Sequence, residues 1–353
     1  MSAKKILICP LNLGLGHATR VIPVVQRLIE LGHHVIIGAD GRAEALLKSE
    51  FSDLEFINFP DYGIRYSNYF SPVTSLFFQF PKLIYGIFRE NRRLRNIIDK
   101  FHINIVISDN RYGLYSNKVP TVLITHQILI KPPSWLKFFD IWIWWIVTGW
   151  AQKFTHTWIP DRQNAPYLSG DLSHKYPLPE NGKYIGLLAA VTDEKPEISD
   201  LLILISGPEP ARTEFERIVL DQLNGLVNIK TVVLLGKPEG GKERSGPYTI
   251  FSHLDRKRIS ALIKGANLII SRPGYTTVME VAVLGKKAFW VPTPGQTEQE
   301  YLCKYLAERG MYRYTQQKKL DLANVISNQS DYPQLKISDD KEELFAALDL
   351  LLQ

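Results

Sequence analysis

The sequence predicts an α/β protein made of two doubly wound parallel-sheet domains that face each other across a cleft. Three observations lead there. The chain has 353 residues, more than one hydrophobic core ordinarily serves. Its composition, 45% hydrophobic and 22% charged, is that of a globular protein. Short apolar runs that end in Gly, Pro or Asn turns alternate with stretches of helical spacing, and the whole pattern occurs twice.

The first half opens as a βαβ unit. Lys5–Cys9 reads as a strand, and a glycine-containing turn follows at Leu11–Gly16. His17–Leu31 then carries Val21, Val24, Val25, Leu28 and Ile29 at helical spacing, and Gly32 stops that helix. His34–Gly38, Leu54–Phe59, Ile103–Ser108 and Val119–Thr125 are the next strand candidates. Strands of the second half are expected at Leu201–Ser206, Lys230–Leu235, Tyr248–Phe251, Asn267–Ser271 and Lys287–Val291. Helices are expected at Arg212–Leu223, Asp255–Lys264, Thr276–Leu284 and Glu298–Arg309. Residues from Asp161 to Lys183 are rich in Pro, Gly, Ser and Asn without periodicity and read as a linker region. This divides the chain into domains 1–163 and 164–339, with a last helix within 340–353 free to pack back on the first domain.

Composition narrows the function. A net charge of +6 is mild for this length and suits solubility, anionic substrates or an anionic membrane face. No Lys- or Arg-rich block points to nucleic acid. Cys9 and Cys303 are too few and too far apart for a disulfide framework, so reduced thiols in the cytoplasm are expected. The apolar run Ile6–Cys9 is broken by Pro10, Asn12 and Gly14, too early for a signal-peptide core. The longest apolar run, Ile141–Trp150, is about half the ~20 residues a membrane span requires. A cytoplasmic protein, on the inner face of the membrane at most, is the expectation.

Chemistry concentrates between Ser271 and Tyr301. The strand ending at Ser271 is followed by Arg272-Pro273-Gly274 and by a helix start at Tyr275, Thr276 and Thr277. A strand, a glycine turn and a helix N-terminus place backbone N–H groups and a positive dipole end where a phosphate sits. Glu280 lies one turn further along the same helix face, placed for a ribose diol. After the next strand, Pro292 and Pro294 fix a loop that leads to Gln296, Gln299 and Glu300, whose amides and carboxylates suit sugar hydroxyls.

The run S-R-P-G-Y-T-T-V-M-E-V-A-V-L-G-K-K-A-F-W-V-P-T-P-G-Q-T-E-Q-E-Y resembles the donor-site signature of family 28 glycosyltransferases. That group includes the N-acetylglucosaminyltransferase of peptidoglycan synthesis. The resemblance implies two Rossmann-like domains (the GT-B fold), no cofactor, no required metal, and a UDP-sugar held mainly by the C-terminal domain. Glu280 would hold the ribose and Gly274, Tyr275 and Thr276 the diphosphate. Gln299 and Glu300 would contact the donor sugar, and backbone near Phe251-Ser252 the base. Arg272, Thr277 and Gln296 complete the expected donor set. Ser206 and Gly207 fit the family's glycine-rich first turn, but Pro208 and Pro210 remove N–H donors there, and Arg212 is the expected substitute. The linker lacks an arginine that the peptidoglycan enzyme uses at the phosphates, so the chain departs from that enzyme.

Leu13-Gly14-Leu15-Gly16-His17-Ala18-Thr19-Arg20 resembles the family's N-terminal glycine-rich loop, which ends in a histidine. Ligands of open parallel sheets gather beyond the carboxyl ends of the strands, and Asp109 and His126 both stand at strand ends. His17 is the expected general base, with Asp109 orienting it or serving as base itself. The plainer reading of His17 is a helix-start residue that shapes the loop or binds phosphate. His126 reads first as a structural strand-end histidine. It joins Gly14, Gly16 and Arg20 as the acceptor or cleft group. A dinucleotide fingerprint at Gly14, Gly16 and Thr19 with Asp40 is weak, because the third position is Thr.

Two aromatic stretches remain. Tyr66–Phe88 leads into Arg89, Arg92, Arg93 and Arg95, and Trp135–Trp158 holds six tryptophans. Aromatics beside arginines suit a membrane interface, sugar stacking or core packing. For Trp142–Trp150 core packing is the first expectation, since their density exceeds one helix face. The acceptor, whether sugar, lipid-linked or small molecule, is not legible. A nucleotide-sugar 2-epimerase or a non-catalytic nucleotide-sugar-binding protein stays open as an alternative.

Overall fold

The computed structural model describes residues 2–12, 14–62, 72–132, 134–226, 228–237, 244–245, 248–338 and 341–353. Leu13, Tyr66, Tyr69 and Phe70 lie outside the described residues, as do the side chains of Phe77, Phe78, Phe80 and Trp135. The chain divides into two compact units, 1–190 with 339–353, and 191–338.

In the first unit the elements run β1 (Lys5–Pro10), α1 (Leu15–Glu30), β2 (His34–Ala39), α2 (Gly41–Glu50), β3 (Glu55–Asn58), α3 (Pro72–Phe101), β4 (Ile105–Asp109), β5 (Thr121–Ile124), α4 (Asp140–Ala151), β6 (His156–Ile159), α5 (Asp171–His174) and β7 (Gly182–Tyr184). Each central strand is a short β-branched run buried on both faces, the pattern a helix-covered parallel sheet requires. All seven strands are parallel, in the order β3-β2-β1-β4-β5-β6-β7. The order reverses between β1 and β4, where Pro10 pairs with Asp109 in register. Leu7, Cys9, Ile36, Val106 and Leu123 pack one face against Leu94, Ile97 and Ile98 of α3.

A buried ion pair fixes the loop that leaves β4. Arg111 donates to Glu90 Oε1 at 2.6 Å and to the carbonyls of Phe59 and Pro60, and its guanidinium lies 4.6 Å from the Phe59 ring. Asn91 holds the same loop through the carbonyls of Gly113 and Tyr115. Asp109 therefore emerges from a well-anchored strand end.

Residues 161–183, whose composition reads as a linker, fold into this unit instead. The Asp161 carboxylate accepts from the amides of Leu168 and Ser169 and from the Ser169 hydroxyl, and the segment ends in β7 at the sheet edge. The polar residues that look like linker composition are spent on this network. The last helix, α11 (Glu342–Leu352), belongs to the same unit. Arg27 of α1 lies over its Phe345 at 4.3 Å, and Lys4 Nζ donates to the Leu352 carbonyl.

One packing expectation fails. Trp142 and Trp145 of α4 are 63% and 67% exposed rather than in the core. Only Asp140, Val147, Thr148 and Ala151 of that helix face inward as fully buried residues.

The second unit repeats the winding with β8 (Ser199–Leu204), α6 (Ala211–Leu223), β9 (Thr231–Leu234), β10 (Arg244–Ser245), β11 (Thr249–Phe251), α7 (Arg256–Gly265), β12 (Ala266–Ser271), α8 (Tyr275–Val283), β13 (Lys287–Trp290), α9 (Thr297–Glu308), β14 (Arg313–Tyr314) and α10 (Leu322–Ser327). The sheet order is β10-β11-β9-β8-β12-β13-β14, parallel except where β10 meets β11. Its order reverses between β8 and β12, the equivalent of the β1–β4 point in the first sheet. Leu201, Ile203, Ile270 and Val291 pack on Phe215 and Val219 of α6 and on Leu322 and Val325 of α10.

Candidate active site

At the switch point of the first sheet the chain brings four of the expected residues into one hydrogen-bonded cluster. Gly14 precedes α1 with φ +95°, a conformation that a residue with a Cβ adopts only with strain. It turns the chain so that His17 and Arg20 emerge from the first turns of α1 beside the end of β4. His17 Nδ1 lies 2.6 Å from Asp109 Oδ1, and Arg20 grips both oxygens of the same carboxylate, through Nε at 2.7 Å and Nη2 at 2.5 Å. Arg20 Nη1 reaches His126 Nδ1 at 2.9 Å. Asp109 and Arg20 are fully buried, whereas His17 keeps 15% of its side chain exposed.

The electrostatics assign the protons. Burial alone would raise the Asp109 pKa, but the Arg20 charge and the hydrogen bonds from His17 and Arg20 hold it down at about 2. Asp109 is therefore a carboxylate under all ordinary conditions. A bare Nδ1 lone pair facing that anion at 2.6 Å would be repelled, so the His17 proton sits on Nδ1 and the lone pair on Nε2. Arg20 Nη2 and His17 Nδ1 both donate to Oδ1, which explains their 2.9 Å approach to each other. Conversely, His126 Nδ1 accepts from Arg20. His126 is thus tied to the cluster as a buried acceptor and not as a second open base.

At the corresponding edge of the second unit, Arg272 follows β12 and is almost completely buried. Its guanidinium donates to the carbonyls of Val291 and Pro292 at 3.0 and 2.8 Å, to that of Ala211 at 3.1 Å, and to Gln317 Oε1 at 2.5 Å. It thereby ties the end of β13 to the start of α6. Its acceptors are all neutral, and burial lowers its pKa to about 10, still far above neutrality. Gly207, at φ +114°, opens the first turn after β8. A Cβ there would meet Thr293 Oγ1 at 3.3 Å and Arg272 Nε at 3.9 Å. Both of those atoms are buried without a hydrogen-bond partner among the described residues. Gly207→Ala is therefore expected to destabilise the protein by about 1–2 kcal/mol, read as a shift in the urea midpoint.

The remaining donor candidates are placed as follows. Gly274 caps α8 with an ordinary φ of −62°, and a Cβ there would meet only Thr277 Oγ1 at 3.9 Å, so neither the backbone nor the described neighbours require glycine. Tyr275, Thr276 and Glu280 are buried and Thr277 is half-buried; no side chain caps the helix. Glu280 receives Arg256 Nη2 from the start of α7, and burial raises its pKa. In the loop before α9, Gln299 Oε1 accepts from the Thr293 amide and Glu300 Oε1 from the Gly295 amide, both at 2.8 Å, while Gln296 caps the helix. Ser206 is exposed at the first turn. Arg212 is engaged by Glu209 at 2.6 Å and Glu216 at 2.8 Å, so it is already balanced by two carboxylates. The Ser252 carbonyl accepts from the Lys237 amide. Sequence reasoning did not single out Thr293, Arg256 or Gln317. Strand-end position was a usable signal for Thr293 alone, because the other two reach the edge only through tertiary folding.

Comparison with known proteins bears on the family and the fold. Residues 237–347 match the glycosyltransferase family 28 C-terminal domain. The chain is 24% identical over 295 residues to the UDP-N-acetylglucosamine–N-acetylmuramyl-(pentapeptide) pyrophosphoryl-undecaprenol N-acetylglucosamine transferase of Clostridium tetani, spanning 78% of this chain and 75% of that one. It is 26% identical over 341 residues to an uncharacterized glycosyltransferase of Methanosarcina mazei, spanning 87% and 85%. Among solved structures, the glycosyltransferase SnogD from Streptomyces nogalater superposes with a TM-score of 0.64 at 13% identity over 99% of both chains. MurG from Acinetobacter baumannii superposes with a TM-score of 0.56 at 14% identity, again over 99% of both. At such identities the superpositions speak for the fold.

Proposed function

Since the chain is a family 28-like glycosyltransferase with the GT-B fold, we propose that it moves a sugar from a UDP-sugar to an acceptor hydroxyl, with inversion and without a metal. The observation that carries the reading is the His17–Asp109 pair at the switch point of the first sheet. In a single displacement, His17 Nε2 takes the acceptor hydroxyl proton as its oxygen attacks the anomeric carbon. The bond from that carbon to the diphosphate oxygen breaks on the opposite face, and UDP leaves with the bonding pair. The proton stays on an imidazole whose other nitrogen faces the Asp109 carboxylate, so the developing imidazolium is neutralised where it forms.

Donor binding falls to the second unit. The start of α8 and the buried Arg272 cation offer positive potential to the diphosphate, Glu280 takes the ribose diol, and Gln299 and Glu300 contact the sugar through the atoms not bonded to their own loop. The relative from Clostridium tetani is named for a lipid-linked acceptor, and we extend that class to this chain, acting at the inner face of the membrane. Among the described residues no helix is long and apolar enough to cross a membrane.

Thermal unfolding with UDP, CDP, GDP and dTDP tests the donor. Selective stabilisation by UDP is expected; equal shifts with all four would remove the uridine assignment. Glu280→Gln should weaken UDP about ten- to a hundredfold, the value of hydrogen bonds to a charged group. With 2′,3′-dideoxy-UDP the same substitution should cost nothing. Incubating a UDP-sugar alone should return it unchanged, and an epimerised product would defeat the transferase reading.

A further inference from the structure

The first turn of α7 breaks a rule that helix starts obey. It carries Arg256, Lys257 and Arg258 and no acid, although cations oppose the positive end of the helix dipole. Asp255 caps the helix by accepting from the Arg258 amide at 2.8 Å, so the turn is set without their side chains. Arg258 is engaged outside the helix. Its Nε donates to Glu197 at 3.2 Å, and its guanidinium lies 4.4 Å from the Phe251 ring. Arg256 turns to a buried partner instead. Only 8% of its side chain is exposed, and its Nη2 donates to Oε1 of Glu280, itself 5% exposed.

That pair joins two helices that start at the carboxyl edge of the second sheet, α7 after β11 and α8 after β12. Burial favours the protonated form of Glu280, and the Arg256 cation opposes it. Arg256 is the one charged partner of Glu280 among the described residues. A neutral carboxyl group in this place could donate to a ribose hydroxyl as well as accept from one. An anchored carboxylate only accepts, and a sugar without hydroxyls leaves it buried and unsatisfied. Sites of that kind reject the ligand that lacks the hydroxyl far more strongly than apolar pockets reject a missing methylene.

We infer that Arg256 is a positioning residue of the donor site. It holds Glu280 as an anion anchored through Oε1, with Oε2 offered to the ribose hydroxyls, and thereby makes the site select ribonucleotides over deoxyribonucleotides. The inference rests on the ribose role proposed above for Glu280. It also explains a cation placed where it does nothing for its own helix.

Affinities of the whole chain for UDP and for 2′,3′-dideoxy-UDP test it. Wild type should prefer UDP about ten- to a hundredfold. Arg256→Gln keeps a hydrogen-bond donor and removes the charge. It should lower UDP affinity about tenfold or more and leave 2′,3′-dideoxy-UDP within about twofold, so that the preference collapses. Arg256→Met, of similar bulk, repeats the test should the first variant not fold. Arg256→Lys retains the charge and should keep most of the preference. In a Glu280→Gln background Arg256→Gln should cost less than about twofold, because no anion is left to hold. Unchanged UDP affinity in both neutral variants would overturn the inference, and tighter binding would make Arg256 a competitor of the ribose instead. Equal losses for the two nucleotides would sink it too, since they mark a phosphate contact or a general loss of structure. So would losses that multiply with Glu280→Gln. A wild type that binds both nucleotides alike takes Glu280 off the ribose, and the inference falls with that reading. A wild type that discriminates, beside an Arg256→Gln that discriminates equally, removes Arg256 alone.

Discussion

Replacing His17 with alanine is expected to lower kcat by about a hundred- to ten-thousandfold, the usual contribution of a positioned general base, while UDP binding stays within about twofold of wild type. The split follows from location. His17 stands on α1 in the first unit, and every donor candidate named above stands in the second. The alternative base, Asp109, is disqualified by its own surroundings. A carboxylate held at about 2 by Arg20 and His17, with no exposed surface, is a weak proton acceptor that the substrate hydroxyl cannot reach. In the proposed mechanism its part is to orient the imidazole and to balance its charge. Steady-state kinetics and UDP thermal shifts on the same preparation decide the matter. A variant that turns over normally, or one that loses UDP binding in proportion to rate, would return His17 to the role of a loop-shaping residue.

Much of this site was legible in the sequence because a parallel sheet obeys simple rules. Apolar runs mark the strands, and the residue just past each strand faces the ligand edge. That rule brought Asp109 and His126 forward, while the Gly14–His17 turn and the donor set with Arg272 came through the resemblance to family 28. The observed strands β1, β2, β4 and β12 begin and end within two residues of the runs that suggested them. Strands β6, β7 and β14 were missed. β7 and β14 are short edge strands and β6 is a four-residue strand beside β7; residues such as Gly182-Lys183-Tyr184 carry no alternation of their own and are held by pairing. Side-chain commitments were not legible either. Arg272 and Arg212 are both arginines beside a proposed phosphate site. Folding spends one on neutral carbonyls and the other on two carboxylates, and only the first remains an uncompensated cation at that edge. The tryptophans of α4 misled for a further reason. High apolar density normally signals burial, and the pattern of one helix does not say whether the apolar environment comes from the protein or from outside it.

Asp109→Asn should be the most damaging isosteric change in the first unit. In the wild type the folded-state pKa lies below the ordinary 3.8, at about 2. Ionised Asp109 thus contributes stability that is fully present above pH ~4 and lost as pH falls toward ~2, worth on the order of 2 kcal/mol. The substitution removes that contribution at every pH and also leaves the buried Arg20 without its counter-charge, a defect of about 3–5 kcal/mol. Urea unfolding at neutral pH should show a loss in that range, and the gap to wild type should narrow on acidification because the wild type then loses the same charge. Catalysis should fail separately. An amide in place of the carboxylate can present its NH2 to His17 Nδ1, which moves the imidazole proton to Nε2 and abolishes the base, a tautomer error that costs roughly a thousand- to ten-thousandfold in a histidine–carboxylate pair. Because both substitutions disable one unit, His17→Ala in the Asp109→Asn background should lower the rate little further. Rate losses that multiply would mean that Asp109 and His17 serve different steps, and the pair would then cease to be the catalytic element of the first sheet.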